Sequence, residues 1–441
     1  MATHDVQDDR TATATAAKTD LTAAVAAHYD EPEWLVRRRR QAWATYHSLP
    51  MPDRVAHLWR YTDPKHFVLT TENLLPAATD AASTNARRLW ETEELSGVAL
   101  WQGGQVAHLH LDPKLTQAGV LLMELHRASK EYQRLVEAQM GRAVKDDHGK
   151  FEALNAAVWQ AGLFLHVPRH VVIEKPIHLI IAGDGHSPFL APRILVGLEE
   201  GSQATVVTEF VSPKDDEFAA NTVVEAEVGQ AASLRLVGVQ RWGERVTSHF
   251  TQRAVLARDA RMLMVWAGLG AELSKADLGT LLEGRGSSVN LLGMSFGQRN
   301  QHFDQHTVHD HRASDTLSDL DFKIVLKDRA RSAYTGLIRI EPHATNCEAY
   351  QENRNLLLSL GTRADTIPEL EILNDEVRCT HGATIGPLDE DELFYLAARG
   401  IPRAEAVRMI VAGFVEPTLK AVPEDLQERL RSYVDERVKE I

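Results

Sequence analysis

A cysteine and a histidine two positions apart are the residues best spaced to do chemistry together. Cys379 and His381 stand in the segment LEILNDEVRCTHGATIG (370–386). On a β-strand, alternate side chains point to one face, so this thiol and imidazole can share a metal ion, or the imidazole can lower the thiol pKa. Spacing alone favours a simpler alternative, a small buried cysteine beside a surface histidine. Cys347, the other cysteine, is expected to be buried.

Four further histidines cluster in the segment QRNQHFDQHTVHDH (298–311). Imidazole and carboxylate groups suit a transition metal such as iron or zinc, which makes candidate metal ligands of His302, His306, His309 and His311. Strand alternation predicts that His309 and His311 share a face, with His302 and His306 on the same face or at a neighbouring corner. A polar ladder on a strand surface, or a subunit interface, is an alternative for the same residues.

The composition excludes several classes of protein and of site. The 441 residues carry 48 Lys and Arg against 62 Asp and Glu, a net charge of −14. That balance argues against a general nucleic-acid binder, because phosphate contacts need a basic surface. Two cysteines cannot make a disulfide framework or a four-thiolate site, and the chain has no P-loop and no dinucleotide fingerprint. With no targeting signal and no apolar stretch of ~20 residues, it is expected to be cytoplasmic and not membrane-bound.

The elements that must position these residues change character along the chain. Apolar residues recur at helical spacing before residue 162, apart from a β-hairpin predicted at GVALWQGGQVAHLHL (97–111), which turns at Gly103 and Gly104. Short β-rich runs then alternate with turn residues, and a helical pattern follows. We therefore predict a disordered tail (1–30), a mostly helical domain (31–161), a β core (162–386) and a C-terminal helical domain (387–441).

Small and polar residues recur at a fixed spacing in the β core. Two series of four residues are spaced by 28 positions: Ala204, Ala232, Ala260 and Ser288, and Asn221, His249, Asp277 and Gln305. A coil of two strands that stacks on itself produces such a repeat, which favours a parallel β-helix. A Greek-key sandwich also has many short strands, but it has no reason to keep a fixed register.

The last helical segment has one apolar face. Its members recur at helical spacing: Leu426, Leu430, Tyr433, Val434, Val438 and Ile441. Spacing alone leaves two interpretations open, packing within the chain's own helical domain and docking to a partner subunit.

Five segments resemble, in this order, the SufB/SufD family of the SUF iron–sulfur cluster assembly system. They are EPEWLVRRRRQAW (31–43), HLWRYTD (57–63), LFLHVPRHVVIEKPIHL (163–179), NCEAYQENRNLLLS (346–359) and PELEILNDEVRCTHGATIGPLDEDELFYLAARGI (368–401). Within the family, the WRYTD, ENRNLLLS and PELEI stretches are most similar to SufD. The resemblance implies a mainly β fold, a right-handed parallel β-helix core flanked by N-terminal and C-terminal helical regions.

The resemblance also implies a role and partners. Such proteins pair with a SufB-like paralogue, dock a SufC-like ATPase, and support iron entry and nascent cluster formation without a nucleotide site of their own. His381 and Cys379 would be nascent-cluster or iron ligands at the SufB interface, holding a transient cluster or iron shared with SufB rather than a tightly bound cofactor. The ATPase would dock on the C-terminal helices, including the apolar face of the last helix and four named residues: Leu393, Phe394, Met409 and Phe414.

Two alternatives come from other classes of function. The first is a stand-alone homodimeric SufB-like scaffold, because paralogues share an interface surface and this chain can pair with itself. The second is an enzyme, a β-helix polysaccharide lyase or hydrolase. That enzyme would need paired carboxylates or a Lys or Arg base along an exposed groove.

Overall fold

The N-terminal third of the chain is mostly helical but contributes three strands. The computed structural model describes residues 21–55, 57–71, 74–75, 89–90, 94–183 and 185–439. Two 3-10 helices (His57–Trp59 and Pro64–Phe67) follow the first two α-helices. The elements in chain order are α1 (Leu21–His28), α2 (Glu33–Ser48), β1 (Gly97–Gln102), β2 (Gln105–Leu111), α3 (Pro113–Gln117), β3 (Leu121–Glu124), α4 (Leu125–Glu131), α5 (Gln133–Gln139) and α6 (Lys150–Val158).

Three sequence predictions for this region have different outcomes. The β1–β2 hairpin is confirmed, and Gly103 and Gly104 both have positive φ, as a tight two-residue hairpin turn requires. The tail predicted for 1–30 is wrong at its end, because α1 packs Leu21 and Val25 into a core cluster; residues 1–20 lie outside the described residues. The helical pattern predicted between the hairpin and residue 162 is also wrong at β3, which pairs antiparallel with β4, because this tertiary pairing overrides local helical spacing.

The rest of the β structure is a parallel solenoid of eight coils. Its strands are β4 (Ala161–Val167), β5 (Ile177–Ala182), β6 (Phe189–Leu190), β7 (Pro192–Leu198), β8 (Gln203–Val211), β9 (Ala219–Val228), β10 (Ser233–Arg241), β11 (Thr247–Leu256), β12 (Arg261–Gly268), β13 (Leu273–Leu282), β14 (Ser288–Gly297), β15 (His302–His311), β16 (Leu317–Leu326), β17 (Arg331–Ile340), β18 (Cys347–Leu357), β19 (Arg363–Ile372) and β20 (Val377–Pro387).

Two sheets form the walls of the solenoid. Sheet A has the order β2-β1-β5-β8-β10-β12-β14-β16-β18-β20, and sheet B has the order β19-β17-β15-β13-β11-β9-β7-β4-β3, with β6 beside β9. Each coil from β4 onward gives one long strand to each sheet, so the predicted parallel β-helix with two strands per coil is confirmed. Apolar side chains such as Phe250, Trp266 and Phe322 fill the interior.

The strict 28-residue register is wrong. Thr247 pairs with Leu273, 26 positions further on, whereas Arg331 pairs with Arg363, 32 positions further on. Ala204 is opposite Leu234 rather than Ala232. The two-strand repeat is therefore real, but the loops at the corners of the coils differ in length.

One corner of the solenoid has a more regular marker than the small residues. A residue with φ between 53° and 74° precedes a sheet A strand in seven successive turns: His170, Gly201, Ala231, Asp259, Gly286, Asp315 and Asn346. The backbone N–H of each donates, at 2.8–3.3 Å, to the carbonyl that precedes the equivalent corner of the next coil. These left-handed corners, stacked in a column, mark equivalent positions in successive coils, which the fixed 28-residue spacing does not.

Three C-terminal helices pack on the outer face of sheet A. They are α7 (Glu390–Ala397), α8 (Arg403–Leu419) and α9 (Glu424–Lys439). Leu426, Leu430, Val434 and Val438 are buried in a cluster that includes sheet residues such as Val237. The expectation of a partner surface is therefore wrong for this face, because the chain's own sheet covers it; Ile441 lies outside the described residues. None of the helices among the described residues is long and apolar enough to span a membrane.

Candidate functional site at the open end of the solenoid

The last coil brings Cys379 and His381 to one side of β20. This strand pairs with β18, with Cys379 opposite Ala349 and His381 opposite Gln351. Ala349 and Gln351 are buried, so strand alternation turns Cys379 and His381 toward the interior of the solenoid, at the end where the described residues supply no further coil. Cys379 is half-buried and His381 is exposed. The two side chains therefore share a face, as their spacing predicts.

The two cysteines differ in surroundings. Cys347 is buried, as expected, and its Sγ atom lies 3.2 Å from Thr316 Oγ1. Burial raises the pKa of the Cys379 thiol, and the neighbouring Cys347 adds to the increase. Cys379 is therefore mainly protonated near neutral pH, and it becomes a thiolate ligand only when a metal displaces its proton.

Cys379 and His381 supply one sulfur and one nitrogen ligand, a pair that suits iron or an iron–sulfur cluster. Within the described ranges, no group of three or more His, Cys, Asp or Glu side chains is arranged to hold a metal ion. Because such a site takes about four ligands, the remaining ligands would have to come from outside this chain. The pair lies at an end of the solenoid, where ligands from a second molecule can approach it.

The four histidines of β15 are divided between the two faces of the strand. His309 and His311 share the inner face, as predicted, and burial lowers their pKa values to about 3 and about 4. His311 contacts Thr316 at 2.7 Å, which accounts for one ring nitrogen. His302 and His306 lie on the outer face instead, because they are an odd number of residues away. The four imidazoles therefore do not converge within this chain.

A buried polar cluster on the outer face explains His306. Lys275 Nζ lies 3.2 Å from Asp304 Oδ2 and 2.9 Å from His306 Nε2, and His306 Nε2 lies 2.8 Å from Asp304 Oδ1. Thr62 Oγ1 donates to Asp304 at 2.5 Å, and Lys275 donates to the Leu58 carbonyl at 2.6 Å. Burial would raise the pKa of Asp304, but Lys275 and His306 hold it well below its usual range. The cluster anchors the 58–62 segment over sheet B.

The four residues assigned to ATPase docking are not equivalent. Phe394 is 74% exposed and Met409 is 47% exposed, so both are available to a partner. Leu393 is only 3% exposed because it belongs to the core between the helices and sheet A, which removes it from the docking surface. Phe414 is half-buried against the same core, with Lys323 Nζ 5.9 Å from its ring centre. Tyr395, which the sequence pattern did not single out, is exposed beside Phe394.

One catalytic motif escaped the sequence interpretation. Residues 293–297 read Gly-Met-Ser-Phe-Gly, the Gly-x-Ser-x-Gly pattern of a nucleophile elbow. An elbow needs a sharp strand-to-helix turn that exposes the serine, whereas Ser295 lies inside β14 and is buried. Its Oγ atom has no hydrogen-bond partner in the described part of the chain, so no base activates it there. The motif is a coincidence of the strand sequence.

Two family models match this chain. The model of the SufBD core domain of SUF system FeS cluster assembly matches residues 180–414, and the model of the SufBD protein N-terminal region matches residues 21–179. The iron–sulfur cluster assembly protein SufD of Bacillus subtilis is 31% identical over 427 residues, 93% of this chain and 95% of the relative. An iron–sulfur cluster assembly SufBD family protein of Staphylococcus saprophyticus is 27% identical over 405 residues, 89% of this chain and 87% of the relative.

Proposed function

Because this chain belongs to the SufBD family of iron–sulfur cluster assembly proteins, we propose that it is the SufD-like subunit of a complex with a SufB-like paralogue and a SufC-like ATPase. It acts there as a cytoplasmic scaffold and not as an enzyme, with the nascent cluster or its iron as cargo. The similarity to the B. subtilis protein, whose name is SufD and which matches along nearly the whole chain, supports this assignment.

The open end of the solenoid is the observation that carries the proposal. β19 and β20 are the last strands of the two sheets among the described residues, which leave a row of backbone donors and acceptors on each strand without a strand partner. Four large apolar side chains are exposed on or beside these strands: Leu370, Ile372, Leu373 and Ile385. An unpaired apolar edge favours a partner that continues the sheet. A paralogue of the same fold offers a matching end, so two solenoids can pair end to end.

The cargo site follows from the same end. Cys379 and His381 lie on β20 and offer two ligands, and the SufB-like partner would supply the others across the joined edges. Binding of iron or a cluster removes the proton from the Cys379 thiol, so its ligation strengthens as pH rises. Two ligands from this chain hold the cargo only weakly. This suits a scaffold, because the cargo must leave. In our proposal, ATP-driven dimerisation of the ATPase twists the paired solenoids and exposes this interface.

The ATPase would dock on the exposed side of α7 and α8. Phe394, Tyr395 and Met409 are exposed on these helices, while Leu393 and Val411 of the same helices are buried in the cluster that includes sheet A residues. Exposed aromatic and Met side chains are typical centres of protein interfaces. α8 packs on β14 and β16 in the middle of sheet A, whereas the paralogue would bind at β19 and β20.

A stand-alone homodimeric scaffold is a second candidate, and the same edge favours it. Two copies can pair isologously through β19 and β20, which would bring two Cys379 thiols and two His381 imidazoles to one interface. The two candidates differ in whether the paralogue displaces the second copy.

Co-expression with the candidate SufB-like and SufC-like proteins, followed by pull-down and native mass measurement, tests the proposal. We expect all three subunits in one complex. Leu370→Lys with Ile385→Lys should weaken retention of the paralogue at least about tenfold while the ATPase stays bound, because two charges would be buried at the joined edge. Phe394→Asp with Met409→Asp should weaken retention of the ATPase while the paralogue stays bound.

Leu109→Lys is the matched control, since Leu109 is an exposed apolar strand residue at the other end of the solenoid. It should leave both partners bound. A chain that only self-associates while its partners assemble without it would support the homodimer instead. Within an assembled complex, unchanged cluster formation by His381→Ala would show that the ligand assignment is wrong.

A further inference from the structure

A basic cavity lies on sheet B, whereas Cys379 and His381 lie on β20 of sheet A. Its volume is about 530 Å³, within the size range of small-molecule sites. The lining contains four arginines but only one carboxylate, Asp365, which Arg363 already holds through two hydrogen bonds of 2.8 and 3.0 Å. In a protein with a net charge of −14, such a concentration of positive charge is local and specific.

One wall of the cavity is a rank of basic side chains on neighbouring strands. His302, Arg331 and Arg363 are the first residues of β15, β17 and β19, and they pair directly in register. Neighbouring strands are roughly 4.8 Å apart, so this arrangement holds the two guanidinium groups side by side. Like charges directly opposite one another destabilise a sheet. Asp365 offsets the charge of Arg363, which leaves Arg331 as the arginine in this rank without a carboxylate partner in the described part of the chain; a bound anion would neutralise it.

The opposite wall comes from the chain segment that precedes the second 3-10 helix. Arg54 donates through Nε and NH2 to the Arg60 carbonyl at 3.3 and 3.1 Å, which holds these two residues together. The Arg60 guanidinium lies 6.0 Å from the centre of the Tyr61 ring. The Thr62–Asp304 hydrogen bond anchors this segment to sheet B. The basic wall and the arginine-bearing segment are thus held face to face by a buried contact.

Three of these arginines have no partner charge in the part of the chain that the structure describes. Arg54, Arg60 and Arg331 make no ion pair with any carboxylate among the residues that the structure describes, although ion pairs are frequent elsewhere on the surface. Guanidinium groups bind phosphate oxygens in bidentate fashion, and several converging forks select an anion with more than one charge.

We propose that this cavity, between Arg54, Arg60 and Tyr61 on one side and His302, Arg331 and Arg363 on the other, binds a small phosphorylated anion. The cavity reaches β19, an edge strand of the proposed pairing surface, through Arg363, but binding of an anion does not require that pairing. Its ligand chemistry is a di- or polyphosphate group, which can come from free pyrophosphate or from a nucleoside diphosphate.

Calorimetric titration of the full chain at low ionic strength tests this inference, with inorganic pyrophosphate, ADP and citrate as separate probes. We expect pyrophosphate to bind, to raise the melting temperature and to lose affinity as NaCl is added. Arg331→Gln and Arg60→Gln should each weaken binding about tenfold, the effect of losing one charge-assisted contact. Tighter binding of ADP would identify a nucleotide as the source, and equal binding would identify the free anion; both outcomes support the site.

Arg261→Gln is the matched control, because Arg261 is also the exposed first residue of a strand but has serines as its strand neighbours. It should change affinity less than about twofold. Arg331→Gln should not lower the melting temperature of the free chain, because Arg331 is exposed and the change breaks no ion pair among the described residues. No binding of pyrophosphate, equal loss in the Arg261 variant, or citrate binding as tightly as pyrophosphate would each overturn the proposal. If Arg331→Gln lost a protein partner but still bound pyrophosphate, the cavity would be a contact site for an acidic protein surface instead.

Discussion

The two ends of the solenoid are built differently. At the first end, the β1–β2 hairpin and the antiparallel strand β3 stop the parallel progression, and Trp101, Val120 and Leu122 are buried there. At the last end, β19 and β20 run parallel to their neighbours, and apolar residues remain exposed. A stacked repeat needs a cap at each end because every coil exposes a strand edge. The described part of the chain carries one cap, at the first end; in our proposal a partner molecule supplies the second.

The closed end is also secured by buried ion pairs. Arg39, on α2, is fully buried and donates to Glu31 at 2.6 and 2.7 Å and to the carbonyls of Ala157 and Trp159. These contacts tie the helical region to the start of the first coil. At the open end, the ion pairs between described residues are partly or largely exposed, such as Arg339 with Glu371.

The same substitution at each end gives the sharpest contrast. Leu122→Lys places a charge at a site that is 5% exposed, and Ile372→Lys places one at a site that is 38% exposed. We expect a loss of about 4 kcal/mol or more in the free energy of unfolding for the first and less than about 0.5 kcal/mol for the second. Urea denaturation of the isolated chain measures both. Similar losses for the two variants would mean that the ends do not differ.

Removal of the Arg39 side chain tests the contacts of the closed end. Arg39→Ala leaves the Glu31 carboxylate buried without its partner, so we expect the free energy of unfolding to fall by about 3–5 kcal/mol. Arg37→Ala, on the same helix with an exposed Glu33 partner, is the control and should change it by less than about 0.5 kcal/mol. Equal effects of the two variants would rule out the assigned role of Arg39.

Acid should weaken the closed end before the open end. Burial would raise the pKa of Glu31, but Arg39 and His126 hold it at about 2. Because the pKa of Glu31 is lower in the folded chain than in the unfolded chain, the ionised carboxylate stabilises the fold above the unfolded pKa, near 4.5. This stability is lost as pH falls toward the folded pKa of about 2. We expect a loss of about 3 kcal/mol from this group over that window. Glu31→Gln should flatten the stability curve there, measured by denaturation at several pH values; an unchanged acid slope would contradict the assignment.

The smallest effect concerns the thiol at the open end. Cys379 should react slowly with iodoacetamide near neutral pH and faster by up to about tenfold per pH unit as its thiolate forms, with no change in stability. Buried Cys347 is the internal control and should react only after unfolding. Mass spectrometry follows both sites. Rapid, pH-independent labelling of Cys379 would contradict its raised pKa, and protection by a bound paralogue would place it in the interface.

The sequence indicated the coil but not its exact length. A coil of two strands follows from turn residues and β-rich runs, because those signals are local. The corners vary in length, and their lengths are not a local signal. A glycine indicates that a left-handed conformation is allowed, whereas the residue types of Ala231 and Asp259 do not indicate the left-handed conformation that both adopt. Likewise, the burial of Leu393 and the α9 face depends on a sheet formed by residues much earlier in the chain.

The sequence predicts the Cys379–His381 pair but not the basic cavity. Cys379 and His381 are two residues apart, so alternation alone places them on one face. The basic cavity, in contrast, joins Arg60 to Arg331 across 271 sequence positions, and only the anchoring of the 58–62 segment to Asp304 brings them together. Local spacing cannot reveal such a site, because the contact depends on the register of three strands.

The column of left-handed corners has a mechanical consequence. Each corner is bonded to the next coil, so the hydrogen bonds run in an unbroken line parallel to the two sheets along the solenoid axis. The first and last coils are roughly 34 Å apart at the spacing of β-strands, and this bonding makes the body between them a stiff rod. The helices α7–α9 are attached to the middle of that rod. A torque applied to them therefore turns the open end as a whole and does not dissipate in local bending.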